Sequence, residues 1–294
     1  MAALFYRRLP RFNYLAPKTI REALKALAEY KDTAKLLAGG TDLIVQLKRR
    51  EIAVPQFVID LKGIPKLDII SYSPRTGLKI GSLATVSALA RSPVVGEHYP
   101  LLVEAALSMA SPQVRNRGTF AGNICSAVPS ADSAPSLMVL GAIVKIKGAA
   151  GERTVPMDRF FLGPRKTALS PDEMVTEIDV PKPVDQSRGV YLKLSPRHSM
   201  DLAIVGVAVA GVSEGGICKD VKIALGAVAP TPVRAPVAED MLRDKKITRE
   251  LIDEAARNAI TQCSPIDDHR ASLEYRCDMV YAMTKRALNQ VFNP

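Results

Sequence analysis

An α+β protein of two domains is what this sequence predicts, and three observations predict it. The chain has 294 residues, about twice the common size of one domain. Strand and helix patterns alternate through its first part. Beyond Pro181-Lys182-Pro183, strand patterns come first and helical patterns follow, the order of an antiparallel sheet covered by helices on one face. The two prolines stop a strand and divide the chain into 1–180 and 184–294.

Within the first part, 12–61 reads as strand, helix, strand, helix, strand. Thr19 precedes a run with Ile20, Ala23, Leu24, Leu27 and Ala28 on one face, the 3.6-residue period of an amphipathic helix. Lys35 to Ala38 is a short strand ending at Gly39-Gly40. Thr41 then suits a helix N-cap before the apolar side Leu43, Ile44 and Leu47, and Phe57-Val58-Ile59 is a strand after Pro55. The character changes over 62–180. Leu78-Lys79-Ile80 is a strand, helices are expected at 85–91 and 99–110, and 111–136 reads as a loop rich in Gly, Asn, Ser and Pro. A short helix at 137–140 and strands at 142–147, 153–155 and 174–180 complete this region. In the second domain, Val190–Leu194, Ala203–Val212 and Val221–Ala227 are three strands, followed by helices at 236–243, 248–262 and 271–292.

Composition excludes several function classes. The longest apolar run, Ala203 to Val212, is interrupted by Gly206 and Gly211, far short of the ~18 residues of a membrane helix. Arg7 and Arg8 are not followed by the apolar run of a secretory signal, so a soluble, cytoplasmic protein is expected, with no membrane span. Cys125, Cys218, Cys263 and Cys277 form no Cys-x-x-Cys pair, and His98, His198 and His269 are scattered. No metal or iron–sulfur signature results, and the cysteines read as reduced small side chains. The net charge of +10 raises a nucleic-acid reading. Its tightest basic group is only Lys48-Arg49-Arg50, with no aromatic stripe on which bases would stack. No nucleic acid is expected; an acidic partner protein or a phosphate-bearing ligand suits the charge as well. No Gly-x-Ser-x-Gly elbow or Walker loop is present, so redox chemistry would require a bound cofactor.

Two glycine turns are the informative features. The first is Leu36-Leu37-Ala38-Gly39-Gly40-Thr41-Asp42-Leu43, a strand passing through two glycines into a helix. Free N–H groups at such a start favour a phosphate, although an ordinary strand-to-helix turn has the same pattern. Asp60, twenty positions beyond Gly40, stands where a dinucleotide fold places its ribose-binding acid, but no G-x-G-x-x-G is present. The second turn is Arg115-Asn116-Arg117-Gly118-Thr119-Phe120-Ala121-Gly122-Asn123, continuing to Asp132. A loop of that length in a compact domain is commonly functional. Gly122 and the side chains of Thr119 and Asn123 are candidates to meet a pyrophosphate. Two backbone cradles suit a ligand with two phosphates, as FAD has.

Over nearly its whole length the chain resembles the FAD-binding medium subunit of the molybdenum hydroxylases, the family of xanthine dehydrogenase and aerobic carbon monoxide dehydrogenase. The resemblance is carried by Phe12-Asn13-Tyr14-Leu15-Ala16-Pro17, both glycine turns, Ser264-Pro265-Ile266-Asp267-Asp268 and Tyr275-Arg276. It implies a two-subdomain FAD-binding fold of the vanillyl-alcohol oxidase (PCMH) type, with subdomains at about 1–61 and 62–180, and a small C-terminal domain. It implies FAD held by Leu36 to Leu43 (Leu36, Leu37, Ala38, Gly39, Gly40, Thr41, Asp42, Leu43) and by Thr119, Phe120, Ala121, Gly122 and Asn123. Asp132 matches a flavin-contacting acid, Lys193 a lysine near the isoalloxazine ring, and Met109 and Val175 apolar positions lining the cofactor. A cation at Lys193 would stabilise negative charge on a reduced flavin.

One departure is Ala121, where the family usually has a second glycine, and a methyl there is expected to crowd a phosphate. No cysteine-rich insertion is present of the kind that holds a [4Fe–4S] cluster in some 4-hydroxybenzoyl-CoA reductases. The resemblance further implies an electron-transfer role between a small subunit with [2Fe–2S] clusters and an external acceptor. A large molybdopterin subunit would bind the substrate, in a dimer of heterotrimers. The alternative is a free-standing flavin reductase of similar fold, such as UDP-N-acetylenolpyruvoylglucosamine reductase, which would need its own proton donor facing the substrate.

Overall fold

The structure is a computed structural model that describes residues 8–197 and 199–293. Arg7 and His198, singled out above, lie outside the described residues. The first unit runs β1 (Asn13–Leu15), α1 (Ile20–Tyr30), β2 (Ala34–Leu37), α2 (Leu43–Arg49) and β3 (Phe57–Asp60). Its strands form a parallel sheet in the order β1-β3-β2. Helix α1 starts where the Thr19 hydroxyl accepts from the Glu22 N–H while the Glu22 carboxylate accepts from the Lys18 N–H, a close variant of the capping box. Ala23 and Leu27, one turn apart, bury its inner face.

The second unit comprises β4 (Ile70–Ser73), β5 (Gly77–Gly81), α3 (Val86–Ala90), α4 (Pro93–His98), α5 (Pro100–Ser108), α6 (Pro112–Arg115), α7 (Phe120–Cys125), α8 (Ser133–Val139), β6 (Ile143–Gly148), β7 (Gly151–Pro156), β8 (Phe161–Gly163), β9 (Lys166–Thr167) and β10 (Met174–Val180). Five of its strands make an antiparallel sheet ordered β4-β5-β10-β6-β7, and β8 and β9 form a separate ribbon. The third unit is β11 (Arg188–Leu194), β12 (Val205–Glu214), β13 (Ile217–Gly226), β14 (Val233–Arg234), α9 (Pro236–Leu242), α10 (Arg249–Ala259) and α11 (Leu273–Phe292), with an antiparallel sheet in the order β11-β12-β13-β14.

Several expectations are corrected here. The region 111–136 is not one loop: α6, α7 and the start of α8 lie within it. Two local caps start the first two helices, Ser111 accepting from the Val114 N–H ahead of Pro112, and Thr119 accepting from the Gly122 N–H. Thr41 is not the N-cap of α2; Asp42 holds that position, and its side chain makes no cap hydrogen bond. Strands β4, β8 and β9 were not expected, and the C-terminal sheet gains the two-residue β14.

That sheet is also covered on both faces rather than one. Along β11 and β12 the side chains alternate: Val190, Val205, Val207 and Val209 pack into one core with α9, α10 and α11, while Tyr191 and Ala208 join the main core of the second unit. Helices α5 and α8 supply that opposite cover. Odd-numbered residues of β11 therefore point toward the end of α5 and the start of α8.

Candidate functional site

The two glycine turns, about eighty positions apart in sequence, meet. Gly39 lies so close to the second turn that a Cβ on it would stand 2.1 Å from the Arg117 carbonyl oxygen and 2.9 Å from the Gly118 Cα. Only glycine permits that approach, and Gly40 beside it is left-handed at φ +76°. The contact is reinforced across the turns. The Ser126 hydroxyl donates to Asp42 Oδ2 at 2.6 Å, and the Val86 N–H donates to the Gly118 carbonyl at 2.8 Å, tying the second turn to the start of α3.

The N–H groups of Gly39, Gly40, Thr41, Asp42 and Leu43 have no backbone acceptor among the described residues. All five residues are partly or fully accessible. A run of successive N–H groups without protein acceptors is an anion cradle, and a phosphate supplies the acceptors that the chain withholds. In the second turn, side-chain acceptors are already engaged by the protein. The Thr119 side chain is buried and its hydroxyl is taken by the Gly122 N–H at 2.9 Å. The Asn123 side-chain Oδ1 accepts from the Ser133 N–H and hydroxyl. These side chains build the turn and its junction with α8. Phe120 and Ala121 are buried in the main core, so the Ala121 methyl packs inward.

Asp60 is buried, and the protein itself already engages its carboxylate. Its carboxylate accepts from the Tyr14 hydroxyl, the Lys62 N–H at 3.0 Å and the Lys62 ammonium at 2.7 Å. Burial alone would raise its carboxyl, but those donors outweigh it and hold it below the ordinary value. The dinucleotide-fold reading of Asp60 therefore gains no support.

A second focus lies where β11 faces α5 and α8. Asp132 is buried and accepts from the Tyr191 hydroxyl at 2.8 Å on Oδ1 and from the Lys193 ammonium at 2.9 Å on Oδ2. Lys193, its side chain 7% exposed, also donates to the Ser108 carbonyl at 3.1 Å, beside Met109. The third ammonium hydrogen has no protein acceptor among the described residues. Burial pushes the Asp132 carboxyl up, offset in part by Lys193 and Tyr191. It pushes the Tyr191 phenol well above its ordinary value, with the Asp132 charge adding to the shift. Sequence reasoning singled out Asp132 and Lys193 but not Tyr191; the Tyr-x-Lys spacing on one strand face was the signal available.

The two foci are joined by hydrogen-bonded neighbours. Asp42 meets Ser126 at the end of α7, Asn123 of α7 meets Ser133, and Asp132 precedes Ser133. Met109 and Val175 are buried members of the main core, Val175 on β10, against which α7 packs. Leu36 and Leu37 end β2, half-buried, and Ala38 O accepts from Lys62 at 3.5 Å. Cys125, in the last turn of α7, is exposed. The arrangement thus offers an anion cradle at one end and a held cation with a hydrogen to spare at the other. That donor set fits a long ligand with a diphosphate and an electron-accepting ring.

Comparison with known proteins agrees with this chemistry. Residues 10–183 match the family described as FAD binding domain in molybdopterin dehydrogenase, and residues 190–291 match the CO dehydrogenase flavoprotein C-terminal domain. The chain is 40% identical to the carbon monoxide dehydrogenase medium chain of Hydrogenophaga pseudoflava, covering 95% of this chain and 96% of that one. It is 31% identical to a putative xanthine dehydrogenase FAD-binding subunit of Escherichia coli, covering 95% of each. Among solved structures, the H. pseudoflava carbon monoxide dehydrogenase lacking the Mo-pyranopterin moiety superposes with a TM-score of 0.94, over 97% of this chain and 99% of that one. No helix among the described residues is long and apolar enough to cross a membrane.

Proposed function

Because this chain belongs to the family of FAD-binding medium subunits of the molybdenum hydroxylases, we propose that it is an electron-transfer subunit, passing electrons from the [2Fe–2S] clusters of a small partner subunit through FAD to an external acceptor. A large molybdopterin subunit binds and hydroxylates the substrate, and the assembly is a cytoplasmic dimer of heterotrimers. The observation that carries the reading for this chain is the meeting of the two glycine turns around N–H groups that lack acceptors among the described residues.

The residues assigned to the cofactor site are Leu36 to Leu43, Met109, Thr119 to Asn123, Asp132, Val175 and Lys193, with Asp132 acting by holding Lys193. The N–H groups of Gly39 to Leu43 take the pyrophosphate, held at the right separation by the Gly39 contact with Arg117. Thr119 and Asn123 act by shaping the second turn. Lys193 points its remaining N–H at the ring end, where a positive charge favours an anionic reduced state. FAD supplies the redox chemistry, exchanging electrons with one- and two-electron partners. The protein's own part is to bind it, fix its orientation and set its potential through the charge at Lys193.

The absorption spectrum of the purified chain, with the released cofactor identified after denaturation, tests this. Flavin bands and released FAD, with iron- and molybdenum-containing chains that co-purify, are the expected result. A colourless chain that takes up no added FAD overturns the reading. A chain that oxidises NADPH alone, with a substrate of its own, overturns the subunit assignment in favour of a free-standing reductase.

A further inference from the structure

We propose that Tyr191 and Asp132 are positioning residues that act on the cofactor through Lys193, rather than contacting it themselves. The inference rests on the reading that this site holds FAD. Both oxygens of Asp132 are already engaged by the protein, Oδ1 by the Tyr191 hydroxyl at 2.8 Å and Oδ2 by the Lys193 ammonium at 2.9 Å. A carboxyl receiving a donor on each oxygen is the ionised form. It is buried, so a ligand would have to displace one of those donors to reach it. Lys193 is the member with capacity left, because Asp132 and the Ser108 carbonyl take two of its three hydrogens.

The arrangement is built into the strand. Tyr191 and Lys193 are two residues apart on β11 and so share a face, and both reach the one carboxylate. Tyr191 is fixed at its backbone as well, its N–H donating to Glu104 Oε2 on α5 at 2.7 Å. Space for its hydroxyl is provided on the neighbouring strand: a Cβ on Gly206 would lie 2.9 Å from the Tyr191 oxygen. With the hydroxyl removed, Oδ1 loses its donor and the ammonium is drawn onto both oxygens, taking its spare hydrogen away from the site. Tyr191 thus keeps the cation from collapsing onto its counter-ion.

The test uses the full chain and four variants: Tyr191→Phe, Gly206→Ala, Lys193→Met, and Tyr191→Phe combined with Lys193→Met. For each, the FAD dissociation constant, the midpoint potential of the bound flavin and the unfolding midpoint are measured. Tyr191→Phe is expected to weaken FAD binding about three- to tenfold and to lower the flavin potential, with little change in unfolding. Gly206→Ala, which crowds the hydroxyl, is expected to move both in the same direction. Lys193→Met lowers the potential further. Added to it, Tyr191→Phe changes nothing more, because residues that act in series are not additive.

An unchanged potential in Tyr191→Phe overturns the proposal, as does a full additional effect in the double variant. So does a loss confined to the unfolding midpoint, which would make the hydroxyl merely structural. Failure of the wild-type chain to bind FAD sinks the underlying reading instead, and that result is visible before any variant is compared.

Discussion

Gly39 is where one methyl group has the largest expected consequence. A Cβ 2.1 Å from the Arg117 carbonyl oxygen meets backbone, which no rotamer change relieves. Gly39→Ala must therefore separate the two turns or distort α7. We expect at least a tenfold loss of FAD affinity in a titration monitored by flavin fluorescence. We also expect a destabilisation of about 2 kcal/mol in urea unfolding, the usual scale of overpacking. Ala121 gives the opposite case. Its side chain is 3% exposed and packed in the main core, so Ala121→Gly, although it restores the residue usual in the family, removes a buried methyl from a helix. The expected outcome is a loss of about 1 kcal/mol of stability with FAD affinity unchanged within about twofold. A tighter complex in the glycine variant would show that the methyl does crowd the ligand.

At the scale of elements, the C-terminal helix is fastened to the sheet by one buried arginine. Arg276 of α11 donates to the Ile204 carbonyl at 2.7 Å, the Ala227 carbonyl at 3.2 Å and Asp268 at 2.9 Å. It thereby joins the entry of β12, the exit of β13 and the loop before α11. Burial alone would raise the Asp268 carboxyl, but the N–H groups of Arg270 and Ala271 and the Arg276 guanidinium outweigh it and hold it at about 2. A folded-state value below the unfolded one contributes stability that is present above about pH 4 and lost as pH falls toward about 2. Screening at this partly exposed carboxylate reduces the contribution to about 1 kcal/mol. Between pH 5 and pH 2 the urea midpoint of the wild type should fall more steeply than that of Asp268→Asn. The variant should start lower at every pH, because Arg276 then keeps a buried charge without its counter-ion. Parallel slopes would mean that Asp268 titrates alike in both states.

What the sequence disclosed at this scale follows from how local each signal is. The α1 period, the two glycine turns and the apolar strands of the C-terminal sheet depend on neighbours within a few positions, and they were legible. Helices α6 and α7 were hidden because they are four and six residues long, too short to show a period; only their caps at Ser111 and Thr119 betray them. The apposition of Gly39 with Arg117 and the Tyr191–Asp132 hydrogen bond join residues far apart in the chain. The residues were visible, but the reason they matter is tertiary.

For the whole molecule, the decisive fact is that the C-terminal sheet belongs to two cores. Val205, Val207, Val209, Ile223 and Leu225 pack with α9 to α11, while Tyr191, Ala208 and Ala224 are members of the main core that α5 and α8 complete. The segment 184–294, although it carries its own helices, would expose that second face if it were cut free. It would also lose the Asp132 partner of Lys193 and the Glu104 partner of the Tyr191 N–H. An exposed apolar sheet face beside an unpaired half-buried cation favours association or loosened packing over a fixed fold. Expressed alone, 184–294 should keep its helical circular dichroism but show poorly dispersed amide resonances and a broad, weakly cooperative melt. Co-expression with 1–183 should restore a single sharp transition, since the shared core then re-forms across the cut. A fragment that melts cooperatively by itself at the temperature of the intact chain would show that the second core alone holds the sheet, and that the contact with α5 and α8 serves the site rather than the fold.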